Sequence, residues 1–205
     1  MFGEILLCVT LAALLTVVGS LWIDGLYRTS TELTFPDEIS ARARFRRPLM
    51  FVALTVLIFV AEPTLTPESF FTVAAIFLLS LMTATDFEQY MLFDEMTLSL
   101  AIIGAIRVWQ LNLNVFDCAA ASLVGGGFFL LLAVTTKALG GGDVKLIAAL
   151  GLWLGCDELL NVVLVGSIAG GLVALTMILS KKKDRSGYFA YGPYFTLTAI
   201  YFLLT

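Results

Sequence analysis

The feature that most constrains this chain is a succession of apolar runs broken by short charged or turn-forming stretches, at roughly 5–23, 48–62, 70–85, 96–112, 115–135, 144–155, 159–179 and 188–204. A soluble core cannot absorb so many. Of the 205 residues 60% are hydrophobic and 14% charged, against about 45–50% and about 25% in an ordinary soluble domain. In lipid every backbone N–H and C=O must be satisfied within the chain, so these runs are expected as helices rather than open strands. The expected fold class is all-α: a polytopic transmembrane bundle of about eight spans, forming a single domain over 1–205. Several runs are shorter than the roughly 20 residues that cross a bilayer core of about 30 Å. Met1 to Ala13 carries Glu4 and neither Lys nor Arg, unlike the basic start of a cleaved secretory signal, so the first run is expected to stay as a helix.

Charge gives the bundle a direction, because cytoplasmic loops retain Lys and Arg. With the N-terminus outside, all but one of the 12 basic residues fall on the inner side: Arg28, Arg42, Arg44, Arg46, Arg47, Lys137, Lys145, Lys181, Lys182, Lys183 and Arg185. The exception, Arg107, lies within a span and is expected to snorkel or to meet an acid. The longest polar stretch, 27–47, is then a cytoplasmic loop. Its "ARARFRR" end is expected beside anionic headgroups of the membrane lipid, with substrate contact as the alternative. A net charge of −4 with dispersed basic residues argues against nucleic acid as a partner. Cys8, Cys118 and Cys156 have no histidine to complete a tetrahedral zinc site. They are expected as buried, inert thiols, with a Cys118–Cys156 pairing left open.

Two acids stand out, because carboxylates near a bilayer are costly and tend to face cavities or partners. Asp86 closes the third run and Asp143 opens the sixth, both on the inner side by the charge rule. The sixth run gives only about 18 Å of helix at about 1.5 Å per residue, which places Asp143 below the inner surface in a polar cleft. Taken singly, Asp143 is also a good helix N-cap and Asp86 a solvated acid after a helix. Taken together they form a different object. Two carboxylates in one cleft share a proton, so the ionised member can activate water while the protonated member polarises a carbonyl. Gly140, Gly141 and Gly142, lacking side chains, would let an extended substrate backbone approach. Lys145 opposes the helix dipole in the first turn and calls for a local partner, Asp143 or a phospholipid phosphate. Glu88, Asp94 and Glu95 would make the mouth acidic, suited to a basic segment. With no histidine in the chain, His-dependent triads and HExxH sites are excluded.

"GGGDVKLIAALGLWLG" and "TATDFEQYMLFDEMTL", with "YGPYF" at 191–195 and "GSLWIDGLYR" at 19–28, resemble the corresponding segments of the type IV prepilin peptidases, intramembrane aspartic proteases with a Gly-x-Gly-Asp motif. The resemblance implies that Asp86 and Asp143 are the catalytic pair, with Gly140, Gly141, Gly142, Lys145, Glu88 and Asp94 around the substrate. It implies cleavage after the glycine that ends a short basic leader on type IV prepilins or pseudopilins, at the cytoplasmic face of the inner membrane, in a pilus or type II secretion pathway. Phe93 stands where the family has proline. Many members also carry four cysteines in the first cytoplasmic loop, associated with zinc and N-methylation. This chain has none there, so proteolysis is expected without metal or cofactor, and S-adenosylmethionine-dependent methylation is left in doubt. Two other readings remain: a proton-coupled transporter using the aspartates as a relay, and a non-enzymatic assembly subunit in which they only cap helices.

Overall fold

The computed structural model describes residues 2–61, 64, 66–136, 139–180 and 190–205, and among these all regular structure is helical. Helix α1 (Phe2–Thr29) leads through a loop with one turn of helix, α2 (Ile39–Arg42), to α3 (Arg46–Val60) and α4 (Pro67–Gln89). There follow α5 (Asp94–Gln110), α6 (Val115–Thr136), α7 (Gly141–Leu179) and α8 (Gly192–Leu204). Each of the eight apolar runs is helical over most of its length. Among the described residues four stretches, Gly3–Thr29, Pro67–Gln89, Val115–Thr136 and Gly141–Met177, are long and apolar enough to cross a membrane. Their outer faces leave Leu6, Val18, Leu123, Val134 and Leu172 exposed, a surface suited to lipid rather than water. Lys137 and the basic run at 181–185, which contribute to the charge asymmetry, lie outside the described residues.

Gly155 divides α7 into two arms. Its φ of 72° and ψ of −175° belong to a region that is essentially glycine-only. Ile147 before it and Leu159 after it both come against the same glycine of α6, Gly125. Residues on either side of a break that meet one neighbour at one depth require the chain to fold back there. The sequence division between 144–155 and 159–179 is thus a change of direction in one helical segment. Such a break orphans carbonyls on one arm and N–H groups on the next. Arg107 of α5 donates to the Trp153 carbonyl at 3.0 Å, with its guanidinium 5.5 Å from the Trp153 ring. Asp117 of α6 accepts from the Cys156 main-chain N–H at 3.4 Å. Arg107 therefore meets a carbonyl that needs a donor, where the sequence suggested snorkelling or an acid. All three thiols are free and Cys8 and Cys118 are buried, as expected, but Cys156 is exposed at the turn.

The loop after α1 folds onto the end of α4. The Gln89 amide brackets the Phe35 main chain, accepting its N–H at 2.9 Å and donating to its carbonyl at 3.3 Å. Arg42 stacks on the Phe35 ring at 3.5 Å and donates to the Glu88 carbonyl at 3.3 Å. Arg46 is buried between α1 and α4, pairing with Asp24 and, at 3.1 Å, with Glu88. Of the "ARARFRR" basic residues expected beside headgroups, only Arg44 and Arg47 remain exposed. The others are recruited because the buried end of α4 presents acceptors that need donors.

Candidate active site

Three helix ends converge on one point. Tyr90 closes α4 with left-handed φ and ψ of 54° and 38°, its N–H on the Asp86 carbonyl at 2.9 Å. This fixes Asp86 on the last turn, where it is only 5% exposed. Helix α7 begins at Gly141, so half-buried Asp143 lies within the first turn, beyond the N-cap position, with its N–H on the Gly140 carbonyl at 3.2 Å. Helix α8 begins at Gly192 and Pro193, and the Gly192 main-chain N–H approaches the Asp86 carboxylate. Asp143 lies near enough for its charge to act on the Asp86 carboxyl. Among the described residues Asp86 Oδ2 is buried without a hydrogen-bond partner of ordinary geometry, a costly state for a carboxylate oxygen in a resting fold. Thr83 and Thr196, joined at 2.7 Å, hold α4 and α8 together one turn behind it.

The other residues singled out by sequence take several places. Gly140 lies beside Asp143, its Cβ direction 3.6 Å from Oδ2, whereas Gly141 faces open space and Gly142 packs on Leu92. Lys145 finds neither Asp143 nor a phosphate as its partner. Its Nζ donates to both oxygens of Asp94, at 2.6 and 2.7 Å, and so ties the start of α5 to the start of α7. Phe93, in place of the expected proline, has φ and ψ of −73° and 138°, backbone values a proline would also adopt. The register of Asp94 therefore survives the replacement. Glu88 is buried and accepts from the Tyr27 hydroxyl at 2.9 Å as well as from Arg46, so its charge is matched inside the fold. Sequence reasoning missed the placement of Gly192 against Asp86 and of Leu92 against Gly142. For the first, "YGPYF" was a signal, since a Gly-Pro helix start leaves an open N–H end.

Beside these helix ends lies a cleft of about 520 Å³ lined by Glu32, Leu92, Phe93, Asp94, Glu95 and Lys145, among others. Among the described residues there is no cluster of three His, Cys, Asp or Glu able to hold a metal ion.

Compared with known proteins, the chain matches the model of the type IV leader peptidase family over residues 72–175, a stretch that contains both aspartates. The chain belongs to this family. It is 32% identical to a prepilin leader peptidase/N-methyltransferase of Pectobacterium carotovorum over 164 residues, 75% of this chain and 58% of that one. The corresponding proteins of Legionella pneumophila and Aeromonas salmonicida are 31% and 32% identical, over 66% and 74% of this chain and 50% and 55% of theirs. The chain thus spans about half the length of the curated relatives it matches. No solved structure matches it.

Proposed function

We propose that this chain is a membrane aspartic endopeptidase that removes the basic leader of type IV prepilins or pseudopilins, cutting after glycine at the cytoplasmic face of the inner membrane. The observation that carries the reading is the convergence of Asp86 and Asp143 at helix ends within the stretch matched by the family. In the reaction, the ionised aspartate takes a proton from water as the oxygen attacks the scissile carbonyl, and the protonated aspartate donates to the carbonyl oxygen. Collapse of the tetrahedral intermediate releases the amine of the mature chain, which leaves with a proton from the dyad. Gly140 and Gly141, with little or nothing packed against them, are where the extended leader backbone comes close. Glu32 and Glu95, both exposed on the cleft, receive its basic residues. Asp94 and Lys145 position the two catalytic segments relative to each other, and Glu88 supports α4 rather than touching the substrate. Coexpression with candidate prepilins, followed by mass analysis of the product N-terminus, is expected to give a chain that begins directly after the leader glycine. Every leader remaining intact, with the protein present in the membrane, would remove the proposal.

The relatives' names also include a methyltransferase. A methyl donor needs an enclosing site beside the new amine. The polar residues lining the cleft, Thr29, Ser30, Glu32, Asp94, Glu95 and Lys145, are none of them buried. The cleft therefore offers S-adenosylmethionine little enclosure.

On this reading about eight spans make up one peptidase unit, with both aspartates facing the cytoplasm. The distribution of basic residues supports this, as does the collection of Asp24, Arg46, Glu88, Asp94 and Lys145 at one end of the bundle and of Arg107, Asp117 and Cys156 at the other. Exposed Cys156 is a native reporter. A membrane-impermeant maleimide is expected to label it in intact cells, the label being lost in Cys156→Ser, while Glu95→Cys reacts only after permeabilisation. The reverse pattern inverts the topology.

A further inference from the structure

We propose that Cys118 and Cys156 form a reversible thiol–disulfide pair that, when closed, clamps the turn of α7 at Gly155 onto the start of α6. The inference is independent of the peptidase reading. The first arm of α7 runs at backbone contact with α6: the Cβ direction of Gly151 falls 2.5 Å from the Ser122 Cα and 2.6 Å from the Ala121 carbonyl carbon, closer than a real Cβ could come. One helical turn of about 3.6 residues further on, Gly155 points at the Asp117 carboxylate. The Cys156 thiol then donates to the Asp117 main-chain carbonyl, with Sγ 3.6 Å from the oxygen. A carbonyl oxygen stands about 2.8 Å from the next Cα across a trans peptide, so the Cys156 sulfur lies within about 6.4 Å of the Cys118 Cα. Cys118 is also near enough for its charge to act on Cys156.

Disulfides join Cα atoms about 4.4–6.8 Å apart, a separation that segments in backbone contact provide. Exposure sets the order of events. Cys156 is exposed and Cys118 buried, so a small disulfide such as oxidised glutathione reaches Cys156 first. The Cys156 thiolate attacks one sulfur of that disulfide, forming a mixed disulfide and releasing one glutathione thiolate. The Cys118 thiolate then attacks the Cys156 sulfur and expels the second glutathione. Each cysteine gives up one proton and one electron, and oxidised glutathione is reduced to two glutathione molecules. Cys8 lies on α1, which packs against α3 and α4, and takes no part. The closed bond holds the first arm of α7, whose other end carries Asp143, against α6. The pair is open in the structure, and maleimide labelling of Cys156 reports that open form.

In the test, purified full-length protein is incubated with oxidised glutathione, quenched with acid, denatured and alkylated, and its mass and peptides are measured without reductant. Wild type is expected to lose the Cys118 and Cys156 thiols, keep that of Cys8, and yield a peptide linking Cys118 to Cys156, all reversed by dithiothreitol. Cys118→Ser is expected to stop at a glutathione adduct on Cys156, and Cys156→Ser to stay unmodified. The closed form is expected to melt about 5 °C or more above the reduced form, because a cross-link enclosing about 40 residues restricts the unfolded chain. Wild type that stops at the Cys156 adduct, or that joins two copies through Cys156, would show that the two thiols do not meet and overturn the pair. A linked form that melts no higher than the reduced one overturns the clamp. Should Cys118→Ser fail to accumulate, the wild-type peptide map decides alone.

Discussion

Asp86→Asn and Asp143→Asn are each expected to lower leader cleavage by about a thousandfold or more, while both variants still reach the membrane. An amide can neither accept the proton of the attacking water nor pass one to the leaving amine, and a positioned acid or base typically contributes about 10²–10⁴ in rate. The two residues act as one unit, so the double variant should be scarcely slower than either single one. A purely structural account predicts otherwise. Asn caps a helix N-terminus about as well as Asp, so aspartates that only capped helices could be exchanged with cleavage kept. Removing charge from buried Asp86, whose Oδ2 has no hydrogen-bond partner of ordinary geometry among the described residues, relieves a desolvation cost and should leave the thermal midpoint unchanged or higher, as commonly found where a site is held for function at the expense of stability. Mass analysis of a coexpressed prepilin, beside thermal melts of the purified variants, checks both halves. Cleavage at the wild-type rate by either variant would show that the dyad is wrongly assigned.

What could be read from the sequence followed how local each determinant is. The helices were legible because lipid leaves the backbone few alternatives, and a break between 144–155 and 159–179 because the first of these runs is too short to cross alone. The aspartates were legible as acids at the ends of apolar runs in a recognisable motif. The choice of partners was not. Lys145 and Asp94 stand 51 positions apart, Tyr27 and Glu88 61, and Arg107 and Trp153 46. Nothing in the composition around Lys145 distinguishes Asp94 from adjacent Asp143. Arg107 illustrates the same limit, since its acceptor exists only because the chain breaks at Gly155. Glu88 read as a mouth acid because it follows Asp86 by two residues on a helix that ends nearby. The loop carrying Arg46 folds back over that turn, and burial reverses the role.

That reversal changes the expected outcome of mutating the pair. As a solvated acid Glu88 could become Gln with little effect. As found, the Arg46 and Glu88 side chains are 4% and 8% exposed at 3.1 Å, and breaking a buried ion pair by removing one partner costs about 3–5 kcal/mol because the other charge stays behind, desolvated. Arg46→Met should be the most damaging, since it leaves Glu88 with the Tyr27 hydroxyl but no counter-charge and leaves Asp24 with only the exposed Arg47, at 3.7 Å. Glu88→Gln should be milder, because its amide oxygen can still accept from Tyr27 and Arg46 retains Asp24. The double variant Arg46→Met with Glu88→Met should recover much of the loss, as replacing both members of a buried pair by apolar groups is often neutral or stabilising. Thermal melts in detergent give the order: Arg46→Met lowest, Glu88→Gln intermediate, the double variant above Arg46→Met. Leader cleavage should fall along the same series, since Glu88 lies on the α4 turn that carries Asp86 and a loosened turn displaces the carboxylate. A double variant as unstable as the sum of its singles would mean that the two side chains act independently, and that what holds the end of α4 lies elsewhere, in the bracket between Gln89 and Phe35.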